Sequence, residues 1–120
     1  MSMLETNLVI SEEKVPPADQ LQTYSAKFRC IDVDQQCDPA RLYDASIDAL
    51  SRVTAGDIRE CSHRFSPQGY SLILSAPGLF WAVHTWPELG VLTVDVVSAD
   101  SKLASQLIQH LQNVFGWKAA

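Results

Sequence analysis

Short stretches of alternating or continuous apolar residues recur along this chain, with turn-forming residues between them. Residues 27–34 alternate polar and apolar side chains over eight positions, the period of a half-buried strand. Four further apolar stretches follow at residues 58–65, 70–74, 79–86 and 91–97, and segments containing Gly or Pro join them. Successive strands joined by short turns are typical of an antiparallel sheet.

Two other segments have helical spacing. Asp38 can cap free backbone amides and Pro39 suits a first helical turn, so the first helix is expected to start there and to stop at Gly56. A second helix is expected after Ser101, its predicted N-cap. We therefore predict an α+β fold in which an antiparallel β-sheet carries two helices packed on one face. The second helix has an apolar stripe at Leu103, Leu107, Ile108, Leu111 and Phe115.

The length of 120 residues suits a single domain. Hydrophobic residues make up 47% of the chain and charged residues 19%, which favours a packed core over disorder. Residues 1–25 are polar and contain adjacent prolines, so we expect a poorly packed N-terminal arm with a short strand at residues 8–10. Residues 26–120 form the predicted domain.

Charge and cysteine content limit the classes of binding partner and the cellular compartment that the sequence predicts. The net charge is −5 and Lys and Arg form no runs, so neither nucleic acid nor a membrane surface is an expected partner. The chain shows no apolar run of membrane-spanning length and no signal-peptide pattern. Cys30, Cys37 and Cys61 are odd in number and lack metal-ligand spacing, which predicts reduced thiols, no metal site and a cytoplasmic location.

Some predicted strands are apolar on both sides. Residues 72–74 and 96–97 are examples, and one layer of helices covers only one face of a sheet. The second face is therefore predicted to meet another copy of the chain in a homodimer. The alternative is a monomer in which the N-terminal arm covers that face.

One block of residues has the composition of a functional site. Residues 84–88 read HTWPE, and residues 65–71 read FSPQGYS at a fixed distance upstream. A third block, QCDP at residues 36–39, precedes the first predicted helix, and VDV follows at residues 94–96. With these motifs at these separations, the chain from about residue 28 onward resembles the small prokaryotic S-adenosylmethionine decarboxylases. The resemblance implies a two-layer sandwich fold and a link to spermidine biosynthesis.

The resemblance also identifies two reactive positions that differ in this chain. Family members carry a serine five residues before the HTWPE histidine, which cuts its own chain and becomes the pyruvoyl cofactor. That position is Leu79, which has neither a nucleophile nor a leaving group, so no pyruvoyl can form there and no other cofactor is expected. In the family, a cysteine fifteen residues after the histidine donates a proton, and this chain has Ala99 at that position. Both differences predict a catalytically inactive protein.

Four other positions match the family. The resemblance implies that Phe65 stacks on adenine, that Glu88 binds the ribose hydroxyls, and that Ser71 and His84 assist self-processing, with His84 also at the ligand site. Ordinary structural roles are the alternative: Phe65 as a core aromatic, His84 as a group that orders the turn, Glu88 as a solvated turn residue. The implied ligand is a nucleoside related to S-adenosylmethionine, and the implied partners are a second copy or an active decarboxylase subunit.

Two further interpretations stay open from the sequence. Ser75 could supply a displaced pyruvoyl group, which would make the protein an active decarboxylase of S-adenosylmethionine or of another amino-acid-like substrate. Alternatively, the bulky Leu79, Phe80 and Trp81 could fill a former substrate cavity, leaving a structural module without a ligand.

Overall fold

A six-stranded antiparallel sheet forms the scaffold of the protein. The computed structural model describes residues 21–120, and the strands follow the order β2-β3-β4-β5-β1-β6 across the sheet. Every neighbouring pair is antiparallel, which confirms the predicted sheet. The strands are β1 Gln22–Arg29, β2 Arg59–Arg64, β3 Tyr70–Ala76, β4 Leu79–Trp86, β5 Val91–Ser98 and β6 Lys118–Ala119.

Two long helices share one face of this sheet, as predicted. These are α2 Pro39–Ser51 and α3 Ser101–Phe115, and a single turn of helix, α1 Val33–Gln36, precedes them. Trp81 is fully buried at the centre of the helix-covered face, where its Nε1 donates a 3.1 Å hydrogen bond to the buried Ser46 Oγ of α2. The buried side chains that join the sheet to the helices include Leu42, Leu50, Leu72, Leu74, Val83, Leu92, Val94, Val96, Leu107 and Leu111.

The helix starts follow from their capping residues. The Asp38 side chain accepts a 3.0 Å hydrogen bond from the Arg41 backbone N–H, as predicted for the cap of α2, but α2 ends at Ser51, five residues before Gly56. The cap of α3 is Asp100 instead of Ser101, because the Asp100 carboxylate accepts a 3.0 Å hydrogen bond from Leu103 N–H.

The position of β1 corrects the sequence prediction. The strand expected at residues 27–34 instead covers Gln22–Arg29, and the chain leaves the sheet at Cys30. The cause is local, since Asp32 caps α1 by accepting from Gln35 N–H at 3.3 Å and so competes with extended backbone. Residues 22–25, assigned to the N-terminal arm from sequence, pair with β5. The strand predicted at residues 8–10 lies outside the described residues.

The second face of the sheet is open within residues 21–120. Its central rows carry Ser71, Ile73 and Ser75 of β3 beside Phe80, Ala82 and His84 of β4. Phe80 is 36% exposed there, and a cavity lined by Ser71 and His84 opens at one end of this face. The homodimer expected to cover this face stays a prediction. None of the helices in the described part is long and apolar enough to cross a membrane.

Trp81→Ala tests the centre of the core. Because the indole is fully buried and hydrogen-bonded to Ser46, we expect the variant to lose about 3–5 kcal/mol of unfolding free energy, measured by urea denaturation. Trp86→Ala is the matched control. Trp86 is 38% exposed at the end of the same strand, so this variant should lose much less unfolding free energy. Equal losses in the two variants would contradict this assignment of the core.

Candidate functional site

The β3–β4 register places two polar side chains of the motif residues side by side. Ser71 lies directly opposite His84, and Ser71 Oγ is 2.8 Å from His84 Nδ1. Both residues are half-buried and point to the open face of the sheet. The contact with Ser71 therefore uses Nδ1 of the imidazole and leaves Nε2 free to bond to another group.

The loop before β3 positions an aromatic ring beside that pair. Phe65 N–H donates a 2.9 Å hydrogen bond to the Gly69 carbonyl, and Gly69 adopts a φ of +115°, where a side chain would be strained. Tyr70 N–H then donates a 3.0 Å bond to Thr85 Oγ1, which ties the loop to β4. The Phe65 ring is 49% exposed and meets His63 edge-on at a centroid distance of 4.5 Å.

A 3-10 turn after β4 carries the glutamate of the motif. The turn covers Pro87–Leu89 and is closed by Gly90, which has a φ of +65° and donates a 3.1 Å bond to the Pro87 carbonyl. Cys30 N–H donates a 2.8 Å bond to the Gly90 carbonyl, so the end of β1 supports the turn from behind. This arrangement holds Glu88 at the edge of the open face.

A cavity of about 260 Å³ brings the four retained positions together. Phe65, Ser71, His84 and Glu88 all line it. An aromatic ring, an imidazole, a hydroxyl and a carboxylate in one concave surface suit a small ligand with a flat ring and several hydroxyl groups. The remaining lining residues, not singled out from the sequence, are Gln68, Gly69, Thr85 and Trp86, and all of them belong to the same two motifs.

A second cavity of about 280 Å³ shares the Phe65 wall with the first. Its far wall is the α1–α2 junction, where Cys37 lies 3.0 Å from Cys30 between the two Sγ atoms. Burial raises the pKa of the Cys37 thiol far above its usual value, and the neighbouring Cys30 raises it further. Burial also raises the pKa of Cys30, which a hydrogen bond from Cys37 partly offsets. Both sulfurs are therefore protonated at neutral pH.

Leu79 and Ala99, the positions that the resemblance aligns with the family's reactive serine and cysteine, lie at the opposite end of the sheet. Leu79 is five residues from His84 along β4, about 16 Å at strand spacing, and its side chain points toward the helices. It pairs with Ser98 of β5, the residue immediately before Ala99. Leu79 and Ala99 are thus neighbours, and the fold brings neither of them to the His84 cavity.

The bulky side chains near Leu79 do not fill that cavity. Leu79 and Trp81 are 7% and 0% exposed in the core under the helices, while Phe80 lies on the open face outside the cavity lining. Alternate residues of β4 point to opposite faces, and none of these three side chains lines the His84 cavity. That they fill a former substrate cavity stays a prediction.

The hairpin also determines the surroundings of Ser75. It lies opposite Phe80 in the next-to-last pair of the β3–β4 ladder, and Ala76 separates it from the two-residue turn of Pro77 and Gly78. Within residues 21–120, the structure has no group of three or more His, Cys, Asp or Glu side chains that could hold a metal ion.

Comparisons with known proteins agree with this geometry. A family model described as S-adenosylmethionine decarboxylase matches residues 22–120. The S-adenosylmethionine decarboxylase proenzyme of Carboxydothermus hydrogenoformans is 38% identical over 94 residues, which cover 66% of this chain and 74% of that protein. The corresponding proenzyme of Pelotomaculum thermopropionicum is 46% identical over 48 residues, and the match spans 39% of this chain and 38% of the relative's length.

A solved structure shows the same fold. The adenosylmethionine decarboxylase from Aquifex aeolicus superposes with a TM-score of 0.66 at 21% identity. The superposition covers 80% of this chain and 79% of that one. The order of the strands and the helix layer on one face are therefore those of a known architecture.

Proposed function

The chain belongs to the S-adenosylmethionine decarboxylase family, and we propose that it is a catalytically inactive member that retains a nucleoside-binding site. The observation that carries this proposal is the separation of two groups of residues. The four retained positions line one cavity, whereas the two substituted positions lie together about 16 Å away along β4. Replacement of the reactive residues at one end of β4 therefore leaves the binding residues at the other end in place.

The inactivity follows from the chemistry available at position 79. A pyruvoyl group does not fit there, because leucine offers no hydroxyl to attack the preceding carbonyl. The Leu79 side chain is instead packed in the core, and the preceding turn of Pro77 and Gly78 keeps the ladder paired up to Ala76. Ala99 beside it carries no proton to donate. Neither group needed for decarboxylation is supplied by this end of the sheet.

The ligand that suits the cavity is an adenine nucleoside such as S-adenosylmethionine. Phe65 presents an exposed ring face on which a purine can stack. Glu88 supplies a carboxylate that can accept hydrogen bonds from both hydroxyls of a ribose. His84, held by Ser71 through Nδ1, presents its second nitrogen to the same ligand. The role would be sensing or regulation in the cytoplasm, within the family's process of polyamine biosynthesis.

We also propose that the open face pairs with a second chain of this family, in a homodimer or with an active decarboxylase subunit. A two-fold axis across this face would bring the position-79 end of one chain toward the His84 end of the other. An active partner would then contribute its own pyruvoyl group to the cavity retained here. Phe80, Ile73 and Val97 provide apolar area for such a contact.

The purified protein should remain one uncleaved polypeptide of 13.3 kDa by intact-mass measurement, because Leu79 cannot start self-cleavage. It should release no carbon dioxide from S-adenosylmethionine above a blank, with the Carboxydothermus enzyme as positive control. Leu79→Ser alone should not restore turnover, since the methyl side chain of Ala99 cannot donate a proton. Two fragments, the larger ending between residues 74 and 78, would instead support a pyruvoyl group from Ser75.

Adenosine and S-adenosylmethionine should each raise the melting temperature. A ligand at one hundred times its dissociation constant stabilises the fold by about 2.7 kcal/mol, which means several degrees for a domain of this size. Glu88→Gln should reduce the shift, because an amide oxygen accepts ribose hydrogen bonds less strongly. Glu60→Gln, on the exposed strand β2, is the matched control and should respond like the unmodified protein. A flat response with both ligands would exclude nucleoside binding.

Pairing with an active subunit can be measured by complementation. The test partner is a pyruvoyl-bearing family chain from the same organism, in which only the HTWPE glutamate is replaced by glutamine, so that it still processes itself but binds ligand poorly on its own. Adding this protein should restore decarboxylation, and adding its Glu88→Gln variant should restore much less. If neither addition restores activity and the chains elute separately, pairing with an active subunit is wrong and a homodimer is the remaining assembly.

A further inference from the structure

Two buried cysteines face each other at the junction of β1 and the first helices. Cys30 directly follows β1 and Cys37 ends α1, and their Sγ atoms are 3.0 Å apart. The side chains are 5% and 4% exposed. A disulfide needs its sulfurs at about 2.05 Å, so a movement of about 1 Å would allow a bond.

The pair connects two elements that border the cavities. Cys30 N–H is bonded to the Gly90 carbonyl, which closes the turn carrying Glu88. Cys37 lines the second cavity, whose opposite wall is Phe65. A disulfide between the two sulfurs would therefore link the end of β1, which supports the Glu88 turn, to the cavity wall opposite Phe65.

The loop between the cysteines is already held at both ends. Gln36 Oε1 accepts from Ile31 N–H at 2.7 Å, and Gln36 Nε2 donates to the carbonyl of Phe115 at 3.1 Å. Trp117 Nε1 donates to the Gln36 carbonyl at 2.9 Å. These contacts keep the two thiols in place in the reduced state, so little ordering is required to join them.

We propose that Cys30 and Cys37 form a reversible disulfide under oxidising conditions, a redox switch beside the candidate site. The inference is independent of nucleoside binding, since it rests on the position of the two sulfurs. Reversible cysteine pairs are the usual form of disulfide in reducing compartments. The exposed Cys61 lies on the edge strand β2, which three strands separate from β1, so it cannot join this pair and serves as an internal control.

The oxidant is a hydroperoxide small enough to enter the cavity that Cys37 lines. The Cys37 thiol gives up its proton as its sulfur attacks one peroxide oxygen; the O–O bond breaks, and the departing hydroxide takes up a proton as water, leaving a sulfenic acid on Cys37. The Cys30 thiol then loses its proton as its sulfur attacks the Cys37 sulfur; the S–O bond breaks, and the departing hydroxide leaves with a proton as a second water. In total, two thiols lose two electrons and two protons, and hydrogen peroxide is reduced to two waters.

The test uses the folded protein with Cys61→Ala to remove the exposed thiol. After hydrogen peroxide and a quench, its intact mass should fall by two hydrogen atoms, and alkylation in denaturant should label neither remaining cysteine. Peptide mapping should find Cys30 linked to Cys37, and dithiothreitol should reverse both results. The oxidised protein should melt about 5–10 °C higher, because an eight-residue ring constrains the unfolded chain.

Two outcomes would overturn the proposal. One is full alkylation of both cysteines after peroxide treatment that does oxidise Cys61 in the unmodified protein. The other is a disulfide that forms only between separate chains. A Cys30→Ala variant should show neither the mass change nor the rise in melting temperature, and the mass readout on the Cys61→Ala protein decides the question even if Cys30→Ala folds poorly.

Discussion

The register of the β3–β4 hairpin is the constraint on which the remaining features depend. A two-residue turn at Pro77 and Gly78 pairs Ala76 with Leu79, and every later pair follows from that first one. Because strand side chains alternate, this register sends Trp81 under the helices and His84 to the open face. A shift by one residue would exchange the two, exposing the largest core side chain and burying the imidazole.

The same register makes the His84 cavity independent of the side chain at position 79. The hairpin is held by backbone hydrogen bonds, which do not depend on whether position 79 is leucine or serine. Leucine at this position adds apolar area to the core, which favours folding. The cavity around His84 is built from the loop at residues 66–69 and the turn Pro87–Leu89, and neither touches position 79. The His84 cavity and the Leu79 end of the sheet are therefore structurally separate.

Much of the architecture follows from local signals in the sequence. Four of the five predicted strands and both long helices were located from apolar spacing, from Asp38 and Pro39 at a helix start, and from turn residues. The motifs at residues 65–71 and 84–88 contain all the residues that line the His84 cavity, because tight turns hold their side chains at set positions. Where the prediction erred, a local hydrogen bond competed with the alternating pattern: Asp32 caps a helical turn and ends β1 early.

The sequence by itself determined which elements form and which chemical groups are present, including the absence of a nucleophile at Leu79. Only the tertiary structure decided which groups meet. The cavity at His84, the pairing of Leu79 with the neighbour of Ala99, and the approach of Cys30 to Cys37 each require chain segments to be juxtaposed by strand pairing or helix docking. Periodicity specifies the face on which a side chain lies, but the partner on that face depends on non-local packing of the whole sheet.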